Sequence, residues 1–498
     1  MKRRLAYAAL VLGLCLAAAL ADDTVALDAR EWQLVRSDNF RIVSVLGEAR
    51  TIELLRQLEI MHASLAATLN GATIASGTPI VIVAVDNHDD YVSLGAPPRS
   101  AGFFISDLRE SAILVEDSED TSGVRVMLHE YAHYLNRQAG RIRYPRWFEE
   151  GNAEYLSHSR IIDQAYEYAL PSEQHLYALE TFDWLPLTDL LEVSDMTAFD
   201  ELGGSMHYAQ WWLLVHYLRS LPDAEINIPG RLRRYAEIAS EGTPAWQAFE
   251  TAFGLEVEQL ERELRTYFDE RAFASRTLPA NTALPGFSPR VQAMTRPGVQ
   301  LVLARMAFRF ENFDHAERLY TELLAVEELR GPAEAGLGRI AGRRGDLEAA
   351  GKHFEAAIQL MAWDFTIWMD YAQYWAQRLP LSEGYKERSR NADRLLESLN
   401  SALTIADATP EVNSLMGFAY LAKGGDLNAA IEHLEAAAAQ APHDQASRLL
   451  LATAYLYDGR LEHAIATAES VVRFEHEPNF VTEAANEIIS QARGARRP

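Results

Sequence analysis

Apolar positions change their spacing along this chain, and the change divides it. Residues 40–45 and 79–85 are short β-branched, apolar runs bounded by polar or turn residues, which predicts two strands. Residues 111–115 read as a third strand and residues 101–105 as a weaker fourth. Between the first two, Ile52, Leu55, Leu58, Met61 and Leu65 recur at helical spacing. After Ser122 the period turns helical and mostly stays so, ending in an amphipathic stretch that carries Val257, Leu260, Leu264 and Phe268. A strand-rich opening that gives way to helices predicts an α+β domain. Residues 276–298 then hold Pro279, Pro285, Pro289 and Pro297 with little periodicity, the composition of a linker.

Beyond the linker the pattern repeats. Phe313, Ala316 and Tyr320 recur as Leu347, Ala350 and Phe354, and Leu427, Ala430 and Leu434 recur at the same interval as Leu461, Ala464 and Ala468. That interval is about 34 residues; with paired helices and a small residue where they cross, it resembles the tetratricopeptide family. Gly417, Tyr420, Ala430, Leu434, Ala437 and Pro442 sit at its consensus positions in one repeat. Gly345-Asp346 and Gly425-Asp426 are expected to turn the chain between helices. Ala350 and Ala430 are separated by more than two and fewer than three such intervals. A middle repeat is therefore longer, with the extra residues expected between Arg378 and Arg388. The alternative to a tetratricopeptide array is an unrelated helical bundle.

Length and charge narrow the function. A chain of 498 residues is long enough for two to four domains with full cores. The net charge is −25, and dropping Lys2, Arg3 and Arg4 takes it to −28. No basic cluster offsets that acidity, so nucleic acid is excluded as an expected partner. Those three basic residues precede an apolar run over residues 5–20 and Ala19-Leu20-Ala21, the plan of a secretory signal peptide over residues 1–21. An uncleaved anchor is the alternative, although sixteen apolar residues fall short of the ~20 that span a bilayer. Cys15 is the only cysteine, so cleavage would leave neither disulfides nor a thiol ligand. An exported protein with no membrane span after cleavage is expected, in the periplasm or secreted outright.

The chemistry gathers at His129-Glu130-Tyr131-Ala132-His133. Residues four apart on a helix stand one above the other, so two imidazoles there can grip one zinc ion with Glu130 beside it. Zinc needs one more protein ligand. Trp147-Phe148-Glu149-Glu150-Gly151-Asn152-Ala153-Glu154-Tyr155 offers it, on a second helix that Pro145 can open. The stretch from His133 to Glu150 leaves room for a turn and a return to the metal, and Glu149 is the neighbour and rival of Glu150. His88, in an acidic stretch, reads as a solvated loop residue.

This arrangement resembles the gluzincin metallopeptidases, and more closely the peptidase-MA-like domains fused to tetratricopeptide repeats in bacterial exported proteins. The likeness extends over roughly residues 30–270, with Ser37-Asp38-Asn39-Phe40 resembling the family's opening and the specific residues concentrated in 129–155. It implies His129, His133 and Glu150 as zinc ligands, Glu130 as general base, and Glu154 as the carboxylate that fixes the tautomer of His129. It also implies an oxyanion donor from a later helix, for which Tyr208 is the first choice and His207 the second; packing beside Trp211 and Trp212 is the competing role. Residues 101–106 lack the glutamate with which alanyl-type aminopeptidases hold a substrate amine, so aminopeptidase specificity is not implied. The stretch could still be an edge strand that aligns a peptide.

The fold class expected on this resemblance is an α+β zinc-metallopeptidase-like domain followed by an all-α tetratricopeptide-type superhelix. The boundaries are 1–21 for the signal peptide, 22–275 for the peptidase-like domain, 276–298 for the linker and 299–495 for the repeats. The expected function is zinc-dependent hydrolysis of peptide bonds in the cell envelope, with protein partners or substrate held in the repeat groove. The competing class is an envelope scaffold whose zinc domain is structural or inactive.

Overall fold

The computed structural model describes residues 26–68, 80–139, 142–162, 165–193, 201–222, 227–279, 287–475 and 479–495. The expected signal peptide lies outside the described residues, as does Pro285. No described helix is long and apolar enough to cross a membrane.

A six-stranded sheet organises the first part. Its strands are β1 (Gln33–Arg36), β2 (Arg41–Ser44), β3 (Ile80–Val85), β4 (Gly102–Ser106), β5 (Ser111–Glu116) and, far downstream, β9 (Arg290–Ala293). Their order is β4-β5-β3-β2-β1-β9, with β2, β3 and β5 parallel and the other pairs antiparallel. The four strands expected from apolar runs are β2, β3, β4 and β5. β1 (Gln-Leu-Val-Arg) and β9 (Arg-Val-Gln-Ala) hold only two apolar residues each and show no such run.

Helix α1 (Glu48–Thr68) connects β2 to β3, and α2 (His88–Ser93) follows β3. His88 is thus the first residue of a short helix rather than a loop residue; it is solvent-exposed, as expected, with its Nδ1 2.8 Å from the buried Glu116 carboxylate. After β5 come α3 (Gly123–Ala139) and α4 (Arg146–Ser157). A small antiparallel sheet, β6-β7-β8, joins β6 (Ser159–Ile162) and β7 (Ala165–Tyr168) to β8 (Arg276–Pro279). Between β7 and β8 run α5 (Glu173–Thr181), α6 (Leu187–Glu192), α7 (Glu201–Ser220), α8 (Ile228–Ala239), α9 (Ala245–Phe253) and α10 (Val257–Asp269).

Strands β3 and β5 are apolar on both faces because both faces are covered. Ile42, Ile82, Ile113 and Val115 pack with Leu54, Leu58, Met127 and Tyr131 of α1 and α3. The alternate residues Val43, Val83, Val85 and Leu114 pack instead with Leu303, Ala307, Leu319 and Leu323 of the first repeat helices. The sheet is therefore the middle layer between two sets of helices.

Over its described residues, 276–279 and 287–298, this corrects the linker expected at 276–298. β8 pairs with β7, β9 pairs with β1 from Gln33↔Ala293 to Arg36↔Arg290, and the first repeat helix begins at Arg296. The prolines suit these places. Pro279 ends an edge strand, Pro289 precedes another, and Pro297 sits in the first turn of a helix, where an amide hydrogen has no partner to lose.

The repeats form helix pairs: α11 (Arg296–Arg309) with α12 (Phe313–Leu323), α13 (Arg330–Arg343) with α14 (Leu347–Met361), and α15 (Phe365–Arg378) with α16 (Tyr385–Leu403). α17 (Pro410–Lys423) with α18 (Leu427–Gln440) and α19 (Gln445–Tyr457) with α20 (Leu461–Glu475) follow, and α21 (Phe480–Ala495) ends the stack. Asp346 and Asp426 cap α14 and α18 by accepting from the Ala349 and Ala429 amides, so the expected turns form there. The extra residues of the long repeat lie only partly between Arg378 and Arg388. Helix α16 itself runs 19 residues, against 15 for α14 and 14 for α18. First helices of successive pairs approach one another more closely than second helices do, which puts the first helices on the inside of the curve. The far end of the array returns to the first part, where the Arg143 amide donates to the Phe474 carbonyl at 3.0 Å, in the segment between α3 and α4.

Candidate metal centre

Helix α3 opens where Asp117 accepts from the Gly123 amide at 2.8 Å, and it buries Met127, Leu128, Tyr131, Ala132 and Leu135. That apolar set fixes the rotation of the helix, and His129 and His133 share a face one turn apart. Their Nε2 atoms stand 3.2 Å apart. Helix α4 is buried along most of its length and brings Glu150 to the same point. Its Oε2 lies 3.4 Å from His129 Nε2 and 3.5 Å from His133 Nε2. A tetrahedral zinc ion with bonds of ~2.0–2.1 Å holds its ligand atoms ~3.3–3.4 Å apart. The three edges of this triangle match that spacing, and two nitrogens with one carboxylate oxygen are a donor set zinc accepts.

A close crossing of helices places Glu150. A Cβ on Gly151 would stand 2.4 Å from the Trp211 carbonyl oxygen, so the backbones of α4 and α7 touch there. Asn152 donates to Asn136 at 3.1 Å and accepts from Arg219, tying α3, α4 and α7 together. Glu149 points elsewhere, with Oε1 3.8 Å from His133 Nδ1, the nitrogen turned away from the triangle.

Glu130 lies between α3 and strand β4. A Cβ on Gly102 would come within 3.0 Å of its Oε1, and its carboxylate accepts from the Phe104 amide. Burial raises its pKa above the ordinary carboxylate range, partly offset by His129 and His133. Burial also works against charge on Glu150, but the two imidazoles outweigh it and hold that carboxyl well below its usual range. For His129 burial opposes protonation, yet Glu154, Glu150 and Glu130 leave the net shift well upward. The pocket thus attracts positive charge.

Glu154 lies one turn beyond Glu150. Its Oε1 is 2.9 Å from His129 Nδ1, close but too bent for a well-aligned hydrogen bond. Its Oε2 faces His175 Nε2 at 3.4 Å, His158 Nδ1 at 3.5 Å and Arg125 at 3.9 Å. The Tyr208 ring is 6.3 Å from that of His129, and burial followed by the charges of Glu150, Glu154 and Glu130 keeps its hydroxyl protonated. His207 packs its ring on Trp211 at 5.3 Å. Four neighbours of the cluster escaped the sequence reading. Arg125 and Arg146 stand four residues before His129 and Glu150, a spacing that could have exposed them; Arg146 donates to Glu150 at 3.2 Å. His158 and His175 carry no such local signal.

Residues 421–480 match the tetratricopeptide repeat family model. The array of helix pairs carries tetratricopeptide repeats, as the period of its sequence suggested. No curated protein matches the chain. Among solved structures it is similar to a thermophilic tetratricopeptide protein of Thermus thermophilus, at 17% identity and a TM-score of 0.33, covering 39% of this chain and 99% of that one. It is also similar to a signal-transduction ATPase with numerous domains and a tetratricopeptide repeat sensor from Pyrococcus horikoshii. There the identity is 14% and the TM-score 0.31, over 92% of this chain and 79% of the other. These scores are low, and the assignment of tetratricopeptide repeats rests on the matched residues and on the period.

Proposed function

We propose that this protein is a zinc-dependent metallopeptidase of the cell envelope, exported to the periplasm, whose tetratricopeptide array engages a protein partner or substrate. One observation carries the reading: His129, His133 and Glu150 present three ligand atoms 3.2–3.5 Å apart, beside Glu130. Zinc, when bound, supplies a Lewis acid that polarises a carbonyl and acidifies water. The chain's own residues do the rest. Glu130 takes a proton from a water in the cleft as the water oxygen attacks the scissile carbonyl carbon. It returns that proton to the amine nitrogen as the C–N bond breaks. The raised pKa of Glu130 suits it to both directions of transfer. Tyr208, kept protonated, donates to the developing oxyanion, and Glu154 orients His129.

The test has two parts. Purified mature protein is expected to hold one zinc per chain and to cleave denatured protein in a chelator-sensitive way. Glu130→Gln is expected to keep the metal and lose ~10²–10⁴-fold in kcat, the usual weight of general acid–base catalysis. Full turnover in that variant would remove Glu130 as the base. Zinc without cleavage, alongside a stably bound partner, would favour the second reading, an envelope adaptor with a structural zinc domain. The tetratricopeptide match supports that alternative.

A further inference from the structure

The inner face of the repeat array already holds a ligand, and it belongs to the same chain. The turn between β4 and β5, Asp107-Leu108-Arg109-Glu110, reaches the first helices of two neighbouring repeats. Arg109 Nη1 donates to Asp370 of α15 at 2.5 Å. Its Nε and Nη2 donate to the two carboxylate oxygens of Glu411 of α17, at 3.0 and 2.9 Å. Gln373, one turn along from Asp370, donates to Glu411 at 2.9 Å. Arg309, at the end of α11, closes the base of the hairpin on Asp107 at 3.2 Å and Glu110 at 2.9 Å.

The two carboxylates of this pocket are 6% and 7% exposed, so neither is hydrated well enough to stand unpaired, whereas Arg109 keeps 22% of its side chain in solvent. One carboxylate is gripped side-on by two parallel N–H groups and the other end-on by a third. That pattern needs a planar fork; an ammonium cannot reproduce it. The pocket also lies on the inside of the curve, where tetratricopeptide arrays bind extended segments. The hairpin that fills it carries β4, whose Phe104 amide holds Glu130 and whose Gly102 lies against the same carboxylate.

We infer that Asp370, Gln373 and Glu411 form an arginine-reading pocket, that Arg109 is its resident ligand, and that an arginine-bearing extended segment of a partner protein enters by displacing the β4–β5 hairpin. A tethered ligand acts at an effective concentration of ~mM, so the wild-type pocket is shut to weak competitors and opens only to a partner with contacts along several repeats. Displacement loosens the edge strand beside Glu130. The array thereby both recognises a partner and reports it to the metal cleft.

The test reads binding rather than turnover, so its failure is separable from failure of the peptidase reading. A labelled peptide copying residues 104–112 is titrated against the full chain by fluorescence anisotropy. The Arg109→Ala protein is expected to bind it at least ~10-fold more tightly than wild type does. Adding Asp370→Asn and Glu411→Gln is expected to abolish that binding, as is lysine in place of the peptide's arginine. Equal binding by wild type and Arg109→Ala, or binding that survives loss of the carboxylates or the lysine exchange, overturns the proposal. If circular dichroism shows Arg109→Ala unfolded, wild type serves instead. Excess arginine peptide is then expected to speed amide exchange across residues 102–106, its alanine counterpart to leave exchange unchanged, and no acceleration counts against the proposal.

Discussion

His216 shows what burial does to a single side chain. Its ring lies among Tyr155, Trp212 and Phe273, with Nδ1 2.8 Å from the Tyr267 hydroxyl and Nε2 3.2 Å from the Ala169 carbonyl. Burial, helped by Arg276 and Arg219, lowers its pKa to about 4 against the backbone acceptor that favours the proton. The unfolded chain therefore takes up a proton near pH 6.5 that the folded chain refuses until about 4. Stability from this site is complete above pH ~6.5 and declines as pH falls towards 4, by up to ~1.4 kcal/mol per unit. Urea unfolding between pH 7.5 and 4.5 is expected to be less steeply pH-dependent in His216→Gln than in wild type; equal slopes would argue against this site. At this scale the sequence was unevenly readable. His129, Glu130 and His133 stood out because spacing along one helix is a local property, and Glu150 because a glycine follows it. His158, His175 and the Arg109 pocket come together only through tertiary folding.

Among elements, the decisive contact is the crossing of α4 and α7. Replacing Gly151 with alanine offers ~1 kcal/mol of helix propensity. The added methyl would stand 2.4 Å from the Trp211 carbonyl oxygen and 2.8 Å from Val215. Overpacking of that kind costs ~1–3 kcal/mol, so the clash wins. Gly151→Ala is expected to melt earlier and, because Glu150 moves with its helix, to bind zinc more weakly in a chelator competition. An unchanged melting temperature and zinc affinity would show that the two helices separate freely. The repeats were legible as elements because their period is long and regular. The stretch at 276–298 was not, since a proline in an edge strand or a first helical turn looks in sequence like one in a linker. The two-sided apolar character of β3 and β5 was the overlooked signal: such strands need helices on both faces.

For the whole molecule, that sandwich means the first part does not end where its own helices end. Cutting after residue 294 would expose Val43, Val83, Val85 and Leu114, now covered by α11 and α12. Residues 26–294 alone are expected to aggregate or to lack a cooperative thermal transition, while the intact chain stays soluble; a well-behaved monomeric fragment would contradict the shared core. Among the described residues the array touches the first part at several separated places, including the sheet face, the β4–β5 hairpin, the segment before α4, and α8, on which α20 packs. The pairing of Gln33 with Ala293 joins positions far apart in the chain, which bears on the order of assembly. A chain emerging N-terminus first presents β1 long before β9 exists, so one margin of the sheet stays open until more than half of the polypeptide has appeared. Such delayed closure makes for slow maturation and a need for holding factors during synthesis, and it dates the final shape of the cleft beside Glu130 to the arrival of the first repeat.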